Sequence, residues 1–321
     1  MRRSRRKSQT LTPPSPGASP TRRGAGGGQG EGKEVLHLGL VGWPLGHSLS
    51  PRLHEAALAA LDLPGEYRLY PVPPFPEGQT RLAELLDQVR KGAAGALYGL
   101  NVTIPHKQNV LPLLDELTPT AAAIGAANLI FLKAGRLTGD NADAAGFLAD
   151  LQRNGLAAAA LGNQTALVLG AGGSTRAVVY ALINAGWRVW IAARRVEQAS
   201  TLAASLQGTG PAIHVLPLQA NALAGDYDLI VNTTPVGMFP GVESSPWPTG
   251  LPFPPGAGVY DLVYNPSETA LVGQARAAGL HAANGLGMLV EQAVIAFETW
   301  TGQTAPLAAM WAAVTPQKER T

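Results

Sequence analysis

An α/β protein of two domains is predicted from three features of the sequence. Strand-like and helix-like runs alternate from residue 35 to about residue 314, the pattern of largely parallel sheets covered by helices. A βαβ unit of about thirty residues, TALVLGAGGSTRAVVYALINAGWRVWIAARR, begins at Thr165. The chain of 321 residues can furnish two cores of ordinary size. An N-terminal α/β domain and a second domain with a parallel sheet, facing each other across a cleft, are therefore expected.

The elements follow in order. Residues 35–41 read as a short aliphatic strand. Residues 51–62 open with Pro51 at a helix start and carry Leu53, Ala57 and Leu61 on one face. Residues 67–72 read as a strand, 78–91 as a charged amphipathic helix and 96–102 as the next strand. A strand pair separates Asn128 from Asp143, and a helix spans 143–153. After the βαβ unit, strands are expected at 213–217, 227–232 and 258–263, and helices over roughly 285–314 that return to the first domain.

Composition narrows the class. Hydrophobic residues make up 46% and charged residues 14% of the chain, as in a well-packed globular protein. No uncharged apolar run approaches the roughly 18 to 20 residues that span a bilayer, so no membrane segment is expected. The absence of cysteine excludes disulfides, thiolate metal sites and cysteine nucleophiles. His37, His47, His54, His106, His214 and His281 lack the i, i+4 pairing of a helical zinc site, so no metal is expected.

The net charge of +2 conceals an asymmetry. Residues 1–34 contain eight of the 24 basic and two of the 22 acidic residues, leaving 16 basic against 20 acidic in the remainder. The folded part is mildly acidic, which does not suggest nucleic-acid binding. Residues 1–34 are rich in Arg, Ser, Pro and Gly and poor in large apolar side chains. They read as a disordered basic tail, with no secretory signal. A cytoplasmic location is expected; import into an organelle through the Arg- and Ser-rich tail is the alternative.

The Gly-rich turn Gly170-Ala171-Gly172-Gly173-Ser174-Thr175 follows a strand at 166–169 and opens a helix. Gly170 permits the tight turn, and Gly172 lets the backbone approach a pyrophosphate at the helix N-terminus. Thr175 stands where the third glycine of this Rossmann-type fingerprint usually lies. The end of the second strand selects the cofactor. It reads Ala192-Ala193-Arg194-Arg195, with no acid before Glu197. Two guanidinium groups suit a 2′-phosphate that a carboxylate would repel, so NADP is expected. The competing reading of the pair is a solvated basic turn.

Three segments of the first domain carry the remaining polar chemistry. Ser48 and Ser50 stand two apart in GWPLGHSLSPRLH, and in an extended segment would point the same way. Thr103 and Lys107 follow the strand in GLNVTIPHK, and Asn128 and Asp143 flank the strand pair. Together they offer hydroxyl, amide, ammonium and carboxylate groups suited to a small polyol acid. Each has an ordinary alternative: the serines and Asp143 as helix caps, Lys107 as a surface lysine. His47 and His106 read as structural or peripheral.

These segments resemble the shikimate dehydrogenase family, in order and over nearly all of residues 35–300. They are GWPLGHSLSPRLH, NVTIPHK, GAAN, GDNADAAG, GAGGSTRA, VNTTPVGM (231–238), YDLVYNPSET (260–269) and GLGMLVEQA (285–293). The resemblance implies a substrate domain of residues 35–142 plus 285–321 and an NADP-binding domain of 143–284. It implies that Ser48, Ser50, Thr103, Asn128, Asp143, Tyr264 and Gln292 hold the substrate, shikimate or 3-dehydroshikimate. Lys107 and Asp143 become the catalytic acid–base pair. Gly170, Ala171, Gly172, Gly173, Ser174, Arg194 and Arg195 become cofactor-binding, with Asn232, Thr233, Met238 and Gly285 lining the nicotinamide side.

The chain departs from the family at Glu55 (usually Asn), Leu129 and Ala142 (usually Thr), and Ala144 (usually Gly). At the second strand's end, Ala193-Arg194-Arg195 replaces Asn-Arg-Thr. The alternatives carried forward are a quinate/shikimate dehydrogenase and a non-catalytic ligand-binding paralogue. Small-molecule ligands are the expected partners, with neither nucleic acid nor membrane; monomer and homodimer both fit.

Overall fold

The computed structural model describes residues 35–92, 96–156, 164–206, 208 and 210–315. The basic tail and the last six residues of the substrate-domain assignment lie outside the described residues. The first part runs β1 (Leu36–Gly42), α1 (Ser50–Ala60), β2 (Gly65–Pro71), α2 (Gln79–Lys91), β3 (Leu97–Val102), β4 (Glu116–Leu117), α3 (Pro119–Ile124), β5 (Leu129–Lys133) and β6 (Arg136–Asp140). Helix α4 (Asp143–Arg153) then leads to the second part. That part runs β7 (Thr165–Leu169), α5 (Gly173–Asn184), β8 (Arg188–Ala193), α6 (Val196–Leu206), β9 (Ile213–Pro217), α7 (Ala220–Leu223), β10 (Leu229–Asn232), β11 (Gly258–Asp261), α8 (Ala270–Ala277) and β12 (Ala282–Asn284). The chain returns along α9 (Leu286–Thr301) and α10 (Leu307–Val314).

The second sheet has the order β12-β11-β10-β7-β8-β9, with every pairing parallel. Its central strand β7, TALVL, is buried along Ala166–Leu169 because helices cover both faces. The order reverses between β7 and β10, so a crevice opens beyond their carboxyl ends. The Gly-rich turn follows β7, and Thr233 follows β10.

The first sheet has the order β2-β1-β3-β5-β6-β4 and is mixed. Strands β2, β1 and β3 are parallel, whereas β5 runs antiparallel to both β3 and β6. The sheet is still mainly parallel, with β4 parallel to β6, and the antiparallel pairings belong to β5, which Ala134 and Gly135 join to β6 in a tight hairpin. That hairpin matters for function. Asn101 pairs with Leu129 and Leu129 with Asp140, so the start of β5 and the end of β6 lie beside the end of β3.

Helix α1 also meets the last two helices here. Leu53, Ala57 and Leu58 of α1 share a core with Val290, Ala293 and Phe297 of α9 and Met310 of α10. Trp300 of α9 is buried over Gly99, where a Cβ would overlap its ring, and its Nε1 donates to Ile130 O at 3.0 Å. The C-terminal helices thus rest on the first sheet.

Candidate active site

The polar groups converge because of strand direction. Ser48 and Ser50 follow β1, Thr103 and Lys107 follow β3, Asn128 precedes β5 and Asp143 follows β6. All four segments end at one edge of the first sheet, facing the carboxyl ends of β7 and β10.

At the centre, Lys107 Nζ donates to Asp143 Oδ2 at 2.6 Å, with both side chains buried. Asn128 Nδ2 donates to Asp143 Oδ1 at 2.8 Å, and Asn128 Oδ1 accepts from the Ala142 amide at 2.8 Å. One asparagine thereby fixes both the carboxylate and the start of α4. The Asp143 amide donates to Asn141 Oδ1 at 3.1 Å, and Asn141 Nδ2 reaches Ala126 O at 2.9 Å. Asp143 is not a cap: Ala142 is the N-cap residue of α4, and no side chain caps there. Lys107 is not a surface lysine, being 9% exposed.

The serines are arranged differently from an extended pair. Leu49 is already in the right-handed helical region, Ser50 begins α1, and neither serine caps the helix. Ser48 Oγ accepts from the Ser50 amide at 3.3 Å, a local turn rather than an alternating strand. Ser50 is buried against Tyr67, whose hydroxyl donates to Asn101 Oδ1 at 2.8 Å. Asn101 Nδ2 donates in turn to Asn128 O at 3.1 Å. Sequence reading missed Asn101, Tyr67 and Asn141. Asn141, two residues before Asp143, had a local signal in the tendency of Asn to bond the backbone two residues on.

The Gly-rich turn lies against this cluster. A Cβ on Gly173 would stand 3.4 Å from Lys107 Cβ, so the base of the Lys107 side chain packs on the first residue of α5. Gly170 has φ 121°, and a Cβ there would stand 2.5 Å from Thr233 Oγ1. Thr175 has a definite task. Its Oγ1 accepts from the Gly172 amide at 2.9 Å and lies 2.7 Å from Thr233 Oγ1, which donates to Leu169 O at 2.7 Å. A third glycine could not tie the two strand-end loops together.

The residues fit a phosphorylated dinucleotide. A Cβ on Gly172 would meet nothing within 4 Å, so space lies open beside the α5 N-terminus, where anions are favoured. Arg194 and Arg195 are exposed just beyond β8, next to that turn. Ala171 O accepts from Gln198 Nε2 at 2.8 Å, which steadies the turn from α6; Ser174 lies in the first turn of α5.

The nicotinamide-side candidates lie on the same crevice. Asn232 is fully buried and donates to Asp261 Oδ1 at 2.8 Å, while its oxygen accepts from the Thr234 amide and hydroxyl. Burial pushes the Asp261 carboxyl above its ordinary range, and bonds from Thr269, Val263 and Asn232 oppose the shift. Met238 is 44% exposed, and the neighbouring Phe239 ring meets His47 edge-on at 4.8 Å. His106 is structural, fully buried with Nε2 2.8 Å from Val72 O. Gly285 is required where it stands, since a Cβ would overlap Leu262 O. Tyr264 reaches across to the serine segment. Burial raises its phenol, and a bond from the Leu49 backbone opposes the shift. Gln292 lies on α9 against Gly146, with Nε2 donating to Leu289 O at 2.7 Å.

The departures from the family pattern leave this geometry intact. Ala142 contributes its amide rather than a side chain, Leu129 is fully buried near Trp300, and Glu55 is exposed. Ala144 packs in the core around Phe147. Among the described residues, no group of three or more His, Asp or Glu side chains is arranged to hold a metal, and no helix is long and apolar enough to cross a membrane.

Comparison with known proteins identifies the family of this chain. A family model described as the shikimate dehydrogenase substrate-binding domain matches residues 40–130, and one described as the shikimate 5′-dehydrogenase C-terminal domain matches residues 285–315. The chain is 44% identical over 281 residues to a shikimate dehydrogenase (NADP(+)) of Salinibacter ruber, covering 86% of this chain and 95% of that protein. It is similar to the crystal structure of shikimate 5-dehydrogenase from Thermus thermophilus in complex with NADP(H) and shikimate. There the TM-score is 0.72 and the identity 37%, over 87% of this chain and 98% of that one. It is also similar to a quinate dehydrogenase from Corynebacterium glutamicum in complex with NAD, with TM-score 0.75 and identity 31% over 87% of this chain and 98% of that one. The chain belongs to the shikimate dehydrogenase family.

Proposed function

We propose that this protein is an NADP-dependent oxidoreductase that interconverts 3-dehydroshikimate and shikimate, a step toward the aromatic amino acids. The observation that carries the reading is the buried Lys107–Asp143 pair packed against Gly173 at the mouth of the cofactor turn. The substrate domain comprises residues 35–142 and 285–321, and the NADP domain residues 143–284. The enzyme acts in the cytoplasm as a monomer or homodimer.

NADPH, when bound, supplies the hydride. The chain's own residues act on the other atom of the carbonyl. Lys107 gives a proton to the oxygen that gains negative charge, and its ammonium stabilises that charge before transfer. Asp143 holds the ammonium in place, and Asn128 holds Asp143. Ser48, Ser50, Thr103, Tyr264 and Gln292 bind the carboxylate and hydroxyl groups of the substrate ring. Gly170, Ala171, Gly172, Gly173 and Ser174 would hold the pyrophosphate. Arg194 and Arg195 would pair with the 2′-phosphate, and Asn232, Thr233, Met238 and Gly285 would line the nicotinamide side.

A quinate dehydrogenase is the second reading, favoured by the likeness to the Corynebacterium glutamicum protein. The Arg194-Arg195 pair, with no acid before Glu197, argues for NADP rather than NAD. The test is the absorbance of reduced nicotinamide formed from shikimate or quinate with NADP or NAD. The expected outcome is the highest kcat/KM with shikimate and NADP. No reduction of NADP with shikimate would overturn the assignment.

A further inference from the structure

One buried carboxylate stands outside this chemistry. Asp150 lies seven residues after Asp143 on α4, about 10 Å along the helix axis at the usual rise, and is 2% exposed. Its partners come from three elements. Tyr260 Oη of β11 donates to Oδ2 at 2.6 Å, Asn154 Nδ2 donates to Oδ1 at 3.1 Å, and the Met288 amide in the first turn of α9 donates as well. Burial pushes the carboxyl above its ordinary range, and the Tyr260 bond, Arg153 and the other donors oppose that shift. Withdrawing a carboxylate from water costs several kcal/mol unless it is well partnered, and packing alone would be served as well by an apolar side chain.

The position of Asp150 supplies a reason for its presence. The chain crosses from the first sheet to the second along α4 and returns along α9. These two helices pack on each other at mutual close approach. A Cβ on Gly146 would come within 2.9 Å of the Gln292 amide nitrogen and 3.1 Å of Met288 O, and a Cβ on Gly287 would overlap the Asp150 carboxylate. Tyr260 belongs to the cofactor sheet, and its ring meets Phe147 of α4 at 90° with centroids 5.3 Å apart. The next residue, Asp261, accepts from Asn232 at the end of β10. Asp143 begins α4, and Gln292 lies on α9. Asp150 thus joins both crossing segments to β11, the strand paired with β10, whose end leads to the nicotinamide side.

We infer that Asp150 is a positioning residue, which through Tyr260 and the Met288 amide sets the angle between the two domains and hence the approach of Lys107 to the reacting face of the cofactor. The inference rests on the reading of the cleft proposed above. A misplacement of about 1 Å between reacting groups can cost about a hundredfold in rate. Such an error leaves each domain's own ligand contacts whole.

Tyr260→Phe removes the donor while keeping the ring, and Asp150→Asn keeps the size of the side chain. For both, kcat should fall at least about tenfold. The Kd for NADPH, by fluorescence titration, and the KM for shikimate should stay within about twofold. The radius of gyration with both ligands present, from small-angle scattering, should exceed that of the wild type. If Asp150→Asn does not fold, Tyr260→Phe decides. A folded Tyr260→Phe protein with kcat within about twofold of the wild type overturns the inference, even if it melts at a lower temperature. A wild type that reduces no NADP with shikimate overturns the proposed function instead. The inference is then decided by scattering from NADPH-bound protein: a larger radius in Tyr260→Phe supports it, and an unchanged one overturns it.

Discussion

Lys107 Nζ stands 2.6 Å from Oδ2 of Asp143 where neither residue is more than 9% exposed. The carboxylate therefore holds the ammonium in one place and orientation. Lys107→Ala should lower kcat by at least about 10², the usual scale of a general acid, with KM little changed. Steady-state kinetics with shikimate and NADP measure this, and an unchanged kcat would remove Lys107 from the proton transfer.

The same pair makes a stability prediction that differs from the kinetic one. Asp143→Ala leaves a buried ammonium without its carboxylate and should cost about 3–5 kcal/mol in urea unfolding. Adding Lys107→Met to that variant should recover most of the lost stability without recovering activity. A double variant no more stable than Asp143→Ala would show that the ion pair is not the source of the loss.

Thr175 ties the Gly172 amide and Thr233 together. Thr175→Val preserves shape and removes the hydroxyl, leaving the Gly172 amide without that acceptor, a loss of about 0.5–1.5 kcal/mol. The Kd for NADPH should rise about tenfold, read by fluorescence titration, with the KM for shikimate nearly constant. Equal weakening of both ligands would point to general unfolding instead.

Arg194 and Arg195 are the only strong discriminators proposed between the two cofactors. Replacing both with Ala should raise the KM for NADPH by about 10–100-fold, the scale of one or two charge-assisted bonds, while the KM for NADH changes little. Parallel titrations at fixed substrate measure the ratio. Equal changes with both cofactors would place the arginines away from the 2′-phosphate.

His54 supplies a pH dependence of stability. It is fully buried, stacked on Tyr67 with centroids 4.4 Å apart, and neither ring nitrogen has a hydrogen-bond partner among the described residues. Burial pushes its pKa from 6.5 down to about 3, and Asn101 beside it offsets only part of the shift. The unfolded chain therefore binds the proton first. The stability contributed by neutral His54 is present above pH 6.5 and is lost as pH falls toward 3, by about 1.4 kcal/mol per pH unit. His54→Phe should flatten this acid limb in unfolding curves measured between those limits. An unchanged slope would assign the acid sensitivity to other groups.

Much of the fold was legible because the relevant forces are local. Periodicity marked β7, α5 and β8 in a single run, and Gly170, with φ 121°, occupies the turn that required a glycine. The mixed order of the first sheet was less legible, since a hairpin of Ala134 and Gly135 looks the same in sequence whichever strands it joins. The serines were placed correctly in the chain but wrongly in conformation, because Leu49 turns into α1 one residue early.

The sequence by itself determined the fold class, the cofactor fingerprint and the identity of the polar groups, all of which depend on residue type and near-neighbour spacing. Tertiary structure decided which of those groups meet. Lys107 is 36 residues from Asp143, and Asp150 is 110 from Tyr260. Each pair exists because strand direction and two crossing helices bring distant segments into one low-dielectric space. There a charge must find its partner or be expelled to water, and no local pattern records which partner it finds.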